Sequence, residues 1–288
     1  MLDVSVIIVN YNTREITSHC INSIFDYTKG ASFEVILVDN GSTDGSRELF
    51  SDDNRITYIY SETNLGFGKA NNLGAKHAKG NYLFFLNSDT YFENDVLHFF
   101  LEYLNNANDI KLGVVGALLR NEKGEINGYG GEFPTLWSSL KTALHLDHHK
   151  DFPGLNDKVP FSVEYVLGAD MFVSNSLFQE VRGFDESFFM YYEESDLQYR
   201  SHILGYKNVI IGGPRIVHLD GGSQHGRLSH QKRMMVEDSH LRFHKKHCSF
   251  FAYSLFSVLY FVLRIPTLFR HYSLKENLEY LYLLMKWI

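Results

Sequence analysis

Residues 81–90 read Asn-Tyr-Leu-Phe-Phe-Leu-Asn-Ser-Asp-Thr, and their interpretation decides the fold. The apolar run 82–86 is too short for a helix. Gly80 bounds it on one side and Asn87-Ser88-Asp89 stops it on the other. Such a run reads as a strand buried on both faces of a mostly parallel sheet. Ligands of open α/β sheets collect at the carboxyl ends of the strands, so Asp89 is delivered where a ligand would sit. An oxygen ligand of this kind suits a hard divalent cation that holds a diphosphate. The same tripeptide is also an ordinary turn and helix N-cap, so its neighbours must decide.

On the N-terminal side, residues 4–9 form a β-branched run that ends in Asn10-Tyr11-Asn12, a first central strand. Thr13 is the expected N-cap of a helix running to Tyr27, with Ile16, Cys20, Ile21 and Ile24 on one face. Residues 33–38 make a second strand, ending at Asp39-Asn40-Gly41-Ser42-Thr43-Asp44-Gly45-Ser46, and 56–60 a third. Gly66-Phe67-Gly68 opens a helix through Ala78. Strand–helix alternation over the first hundred residues predicts βαβ units and a parallel sheet. After Leu104 the pattern loosens. It predicts a strand over 112–119, a hairpin or loop over 122–131, an exposed loop over 145–159, and strand pairs over 163–173 and 209–219. A helix whose apolar face includes Leu197 and Ile203 carries a second dense motif within 183–204.

Composition narrows the partners. The net charge of −7 gives no general attraction for nucleic acid, and an anionic ligand would need a metal or local basic groups. The two cysteines, Cys20 and Cys248, form no C-x-x-C pair, which predicts a reducing compartment and argues against zinc. Met1-Leu2-Asp3 leads directly into a strand, so no cleavable signal peptide is expected. These features together predict a cytoplasmic protein. From Ser229 the composition shifts. A helix over 231–247 ends in basic residues, and 250–263 is apolar apart from Ser254 and Ser257. The latter would be about 21 Å long, short of the roughly 30 Å of a hydrocarbon core. With Arg242, Lys245, Lys246, Arg264 and Arg270 bracketing it, it reads as a helix lying in a membrane face, drawn to anionic lipid. A core helix or a subunit contact, such as a homodimer, is the alternative. Residues 274–288 add a second amphipathic helix.

Several constellations carry chemistry. Asp39 ends a central strand and could accept hydrogen bonds from a base or sugar, while the glycines after it let backbone approach a ligand closely. The same residues also make a common turn. Asn64-Leu65-Gly66-Phe67-Gly68-Lys69-Ala70-Asn71-Asn72 lacks the third glycine of a dinucleotide fingerprint, yet suits a sugar or pyrophosphate. Glu193, Glu194 and Asp196 open a helix, where acids complement its dipole, and Asp196–Arg200 has i,i+4 spacing. Neighbouring acids packed behind 188–192 would raise one another's pKa, and such a carboxylate could be a general base. His218 ends a strand and is a fair metal ligand.

These motifs, in this order over residues 4–225, resemble the inverting glycosyltransferases of family 2, and within them the bacterial rhamnosyltransferase-like group. The resemblance implies one α/β domain of GT-A fold over 1–228, with a nucleotide-sugar half (1–105) and an acceptor half (106–228), followed by C-terminal helices over 229–288. It implies that Asn10 and Asp39 contact the nucleobase or ribose, with Asp44 nearby. Asn64, Gly66 and Asn71 would shape the donor pocket. Asn87-Ser88-Asp89 stands where the family carries D-x-D, so that Ser88 and Asp89 face the donor and Asp89 with His218 holds Mg²⁺ or Mn²⁺. Glu194 occupies the position of the catalytic base. The implied donor is dTDP-rhamnose or a UDP-hexose. The implied acceptor is a cell-surface glycan or lipid-linked oligosaccharide, with the protein peripheral on the inner face of the plasma membrane. Asn87 replaces the first acid of D-x-D, and Glu194 is one methylene longer than the usual aspartate. The rival readings are a sugar-nucleotide nucleotidyltransferase, whose basic glycine-rich N-terminal loop is missing here, and an inactive glycan- or membrane-binding module.

Overall fold

The computed structural model describes residues 2–107, 111–144, 146, 158–219, 229–266 and 272–288. The β-branched and aromatic runs of the first half become β1 (Leu2–Asn10), β2 (Phe33–Asp39), β3 (Ile56–Tyr60) and β4 (Gly80–Asn87). Between them lie α1 (Arg14–Tyr27), α2 (Ser46–Phe50) and α3 (Phe67–Ala75). α3 stops three residues short of Ala78: the chain turns through 76–79 to bring Gly80 against β1, where a Cβ would lie 2.5 Å from the Ser5 nitrogen. Next come β5 (Thr90–Phe92), α4 (Val96–Asn106), β6 (Leu112–Ala117), β7 (Leu119–Arg120), β8 (Ile126–Gly128), β9 (Gly130–Gly131) and α5 (Leu136–Ala143). The second half closes with β10 (Phe161–Val163), β11 (Tyr165–Val166), β12 (Asp170–Ser174), α6 (Asn175–Glu180), α7 (Glu193–Ile203), β13 (Lys207–Ile211) and β14 (Ile216–His218). Three helices follow, α8 (His230–His247), α9 (Phe250–Arg264) and α10 (Leu274–Lys286). Most of the loop expected over 145–159, the residues after Leu219 up to 228, and Arg270 lie outside the described residues.

The main sheet runs β10-β13-β6-β12-β4-β1-β2-β3 among the described residues. Parallel pairing joins β3, β2, β1 and β4, and also β6 with β13, while β12 runs antiparallel between β4 and β6. Side chains alternate across this sheet. Val6, Ile8, Leu37, Phe84 and Leu86 face α1 and α4 through Cys20, Ile21, Leu97 and Phe100. Ile7, Ile36, Leu83 and Phe85 face Phe178, Phe184 and Leu197. Each such side chain contributes about 1.5–3 kcal/mol when fully buried. The register decides where function collects: Asn10 pairs with Asp39, and Val9 with Asn87, so the polar residues ending three strands stand level at one sheet edge.

A smaller sheet, β5-β14-β7-β8, sits beyond that edge. It pairs His218 with Thr90, and the Leu219 N–H donates to the Asp89 carbonyl at 2.8 Å. The sequence expectation placed Ile203 on the apolar face of α7, but it is exposed. It lies six residues, about 240°, around the helix from buried Leu197.

The C-terminal helices have their own core, in which Leu241, Tyr253, Phe256, Tyr260, Tyr280 and Leu284 pack with Ala143 of α5. Their outer faces are apolar: Phe251, Leu255, Val258, Leu259 and Val262 on α9, and Leu274, Leu278, Tyr282 and Met285 on α10, are all exposed. No helix among the described residues is long and apolar enough to cross a membrane. The basic residues expected to face lipid are partly spoken for. Arg242 pairs with Asp238, Lys246 with Asp185 and Asp196, and Arg264 with Glu237.

Candidate active site

The strand-end residues of the first half are tied to one another. Asn10 is buried, and its Oδ1 accepts from the Thr13 hydroxyl at 2.8 Å and the Thr17 hydroxyl at 3.0 Å, while its Nδ2 donates to Ser42. Asp39, equally buried, accepts from the Ser42 N–H at 2.9 Å and from the Tyr58 hydroxyl at 2.7 Å. Burial, and then this carboxylate, push the Tyr58 phenol well above its ordinary range. Asp44 accepts from the N–H of Arg14 and from both the N–H and hydroxyl of Ser46. Burial opposes its ionisation, but those bonds outweigh it and hold the carboxyl below the usual carboxylate range. Asn64 accepts from Asn40 and from the Gly66 N–H. Gly66 has φ +81°, and a Cβ there would meet the Phe189 carbonyl at 2.1 Å, so only glycine fits. The next amide, Phe67 N–H, donates to that carbonyl. Asn71 is buried and bonds the Phe67 carbonyl within α3. These side chains shape the loops by holding them.

A cleft of about 590 Å³ opens where the strand ends meet the second half of the chain. Asn87, Asp89, Asn127, His218, Glu193, Glu194 and Lys232 line it, with Phe67, Met190 and Tyr191 as its apolar wall. Asp89 Oδ1 stands 3.4 Å from His218 Nε2. Asn127 steadies the histidine by donating to its carbonyl at 3.0 Å. Ser88 lies beside the cleft, 3.2 Å from the Thr13 hydroxyl. One carboxylate oxygen and one imidazole nitrogen suit Mn²⁺ or another divalent ion that takes mixed O and N ligands. Among the described residues no third acid, histidine or cysteine joins them. The donor set therefore fits a metal shared with the oxygens of a bound diphosphate rather than a closed protein cage.

The first turn of α7 forms the other side. Tyr191 and Tyr192 both have positive φ, 71° and 66°. Two consecutive left-handed aromatic residues cost energy that packing must hold in place. Two bonds pin this turn: Phe67 N–H to the Phe189 carbonyl, and the Ser239 hydroxyl to the Met190 carbonyl at 2.8 Å. The three acids after it then diverge. Asp196 is fully buried away from the cleft and held by Arg200, Lys246 and His247 at 2.6–2.9 Å. Burial pushes its carboxyl up, but His247, Arg200 and Lys246 overcome that and hold it below the usual range. Glu193 and Glu194 each keep a buried Oε2 with no hydrogen-bond partner. Burial raises both carboxyls; the Glu194 charge raises Glu193 further, whereas amides at the helix start oppose the rise of Glu194.

The structure thus brings Asp89, Glu194 and His218 to one cleft, with Ser88 beside it. Asn10, Asp39, Asp44, Asn64, Gly66 and Asn71 are not among the residues lining it. Sequence reasoning missed Asn127, which sits in an unremarkable polar hairpin, and Lys232, which stands at the start of a helix whose sequence drew attention only to the basic residues at its far end.

Solved glycosyltransferase structures share this architecture. Residues 1–349 of S. aureus TarS superpose with a TM-score of 0.57 over 99% of this chain and 71% of that one. GalNAc-T7 crystallised with UDP, GalNAc and Mn²⁺ gives 0.62 over 85% and 48%. Both are 16% identical, so the likeness is one of fold, and the fold is GT-A. The family model for glycosyl transferase family 2 matches residues 5–150, half of the chain, and the chain belongs to that family. The low-salt glycan biosynthesis hexosyltransferase Agl10 of Haloferax volcanii is 28% identical over 75% of this chain and 66% of its own length. The putative teichuronic acid biosynthesis glycosyltransferase TuaG of Bacillus subtilis is 36% identical over 35% and 41%. The matches span two thirds or less of these relatives.

Proposed function

We propose that this protein transfers a hexose or rhamnose from a UDP- or dTDP-sugar to a hydroxyl of a glycan, with inversion at the anomeric carbon. The observation that carries this reading is the shared cleft: Asp89 and His218 line it together with Glu194, a half-buried residue whose Oε2 is buried without a hydrogen-bond partner. In this reading Asp89 and His218 hold the metal, with the neutral Asn87 side chain beside it in place of an acid. A divalent ion bound there would neutralise the departing diphosphate, worth several kcal/mol to about this kind of leaving group. Glu194 accepts the proton of the acceptor hydroxyl as its oxygen attacks the anomeric carbon from the face opposite the diphosphate. The bond from that carbon to the diphosphate breaks, and its electron pair leaves with the phosphate oxygen. Glu193, raised further by its neighbour's charge, keeps its proton, so one charge rather than two occupies the buried pair. Asn10, Asp39 and Asp44 fix the loops that frame the nucleoside, and Asn64, Gly66 and Asn71 those that frame the sugar.

The names of the relatives, a hexosyltransferase and a teichuronic acid enzyme, support a hexosyl donor and an envelope glycan acceptor. The apolar outer faces of α9 and α10 would rest on the membrane carrying a lipid-linked acceptor. The test is a panel of nucleotide sugars assayed for donor hydrolysis and transfer with and without Mn²⁺. Asp89→Ala should abolish both reactions and the Mn²⁺-dependent rise in Tm with nucleotide. Metal-independent turnover, or full activity in Asp89→Ala, would overturn the assignment.

A further inference from the structure

The family match ends at residue 150, yet the cleft does not. Lys232, the third residue of α8, lines it beside residues from both halves of the GT-A domain. We propose that Lys232 binds the diphosphate of the donor nucleotide, so that the appended helix α8 completes the donor site. The inference rests on the donor reading given above and adds to it a residue and an element.

The first argument is charge. With Glu193 protonated as in the reading above, the described residues lining the cleft leave two carboxylates, Asp89 and Glu194, against two basic side chains, His218 and Lys232. The chain as a whole carries −7. A diphosphate entering such a cleft meets repulsion that a single metal only partly relieves, and a lysine is a compact point charge suited to phosphate oxygens. The positive end of the 18-residue α8 dipole lies at the same place.

The second argument is position. α8 is fixed at its start by Ser229, whose hydroxyl accepts from the Lys232 N–H. It is fixed further along by the Ser239 bond to Met190, and at its end by Lys246 and His247 on Asp196. Phe243 packs against Tyr192 and Tyr199. The helix thus crosses the strained turn that precedes Glu194, touching it from Lys232 to Phe243. The Lys232 ammonium stands 5.9 Å from the centre of the Tyr191 ring, over the cleft's apolar wall. Loss of α8 docking would withdraw this charge from the donor and loosen the turn that carries the acids, in one movement.

The competing role for Lys232 is to neutralise the neighbouring glutamates without touching the donor. Calorimetric titration of the full chain with UDP and with dTDP, each with Mn²⁺, separates the two. For whichever nucleotide the wild type binds, Lys232→Ala should weaken affinity by on the order of 10- to 100-fold, as expected for losing a hydrogen-bonded charge. It should also flatten the salt dependence, while Lys232→Arg stays within a few-fold of wild type. Uridine or thymidine, lacking phosphate, should bind all three proteins alike. If Lys232→Ala binds the diphosphate as tightly as wild type, or loses nucleoside and diphosphate equally, the proposal is wrong. A wild type that binds neither nucleotide would instead remove the donor reading on which the proposal stands.

Discussion

The strand-end loops of the first half and the first turn of α7 face the same cleft but are built in opposite ways. In the loops, Asn10, Asp39, Asp44 and Asn64 have their side-chain oxygens engaged by neighbours. In the turn, Glu193 and Glu194 keep buried oxygens unpaired, on a backbone strained at two successive residues. Buried polar groups are normally satisfied, and the exceptions ask for a reason. The contrast teaches which parts hold shape and which stay available to react. It also separates acids of similar sequence context: two residues beyond Glu194, Asp196 has three basic partners.

The sharpest way to break the contrast is Glu194→Gln. It keeps shape and volume but cannot accept a proton, so kcat should fall by about 10² to 10⁴-fold while nucleotide affinity stays unchanged. Normal turnover in that variant would end the assignment of the base. Because burial raises the Glu194 carboxyl, the acidic limb of the wild-type kcat profile should also lie above the ordinary glutamate range, activity being lost as pH falls through it.

Asp196→Ala should act on the other side of the comparison. It removes the acid that Arg200, Lys246 and His247 share, leaving the half-buried Arg200 with backbone carbonyls alone and Lys246 with Asp185 alone. Denaturant unfolding should show a loss of about 3 kcal/mol, with α8 the first element to lose hydrogen-exchange protection. A stability change under about 0.5 kcal/mol, the usual range for surface positions, would mean the network is ornamental.

A smaller effect with a defined sign belongs to Glu193. Its folded carboxyl titrates above its unfolded value, so the folded state holds the proton more tightly. Its contribution is fully present below the unfolded pKa and is lost as pH rises through the folded one. Wild-type stability should therefore decline from the ordinary glutamate range upward, and Glu193→Gln should flatten that slope. An unchanged slope in the variant would place the titration elsewhere.

How much of this was legible in the sequence follows from range. Strands 4–9, 33–38, 56–60 and 82–86 announce themselves by composition, and their polar stops mark the active edge because parallel strands end level there. Asp89, His218 and Glu194 could be named, but their meeting depends on β14 pairing with β5, a contact between residues 126 apart at Val217 and Tyr91. That Asp44 holds the starts of two helices was not legible, because a carboxylate in a glycine-rich loop gives no sign of which amides will claim it. Lys246 and Arg264 looked lipid-facing because their acidic partners, Asp196 and Glu237, are 50 and 27 residues away.

That last displacement reshapes the weakest prediction, which concerns the outer faces of α9 and α10. The internal pairing of Arg242, Lys246 and Arg264 removes much of the positive charge expected to attract anionic lipid, while Lys245 stays exposed. The exposed row Phe251, Leu255, Val258 and Val262 remains. Each such side chain gains about 1.5–3 kcal/mol on full burial, so membrane contact should be driven by apolar area and respond only weakly to salt. In vesicle co-sedimentation, wild type should bind neutral and anionic vesicles to similar extents. Phe251→Ser with Leu255→Ser should remove that binding while donor hydrolysis in solution stays at the wild-type rate. Binding confined to anionic vesicles and abolished by salt would return the contact to the lysines. A concentration-dependent dimer that the same two substitutions dissolve, with no vesicle binding in the wild type, would assign the face to a second copy of the chain.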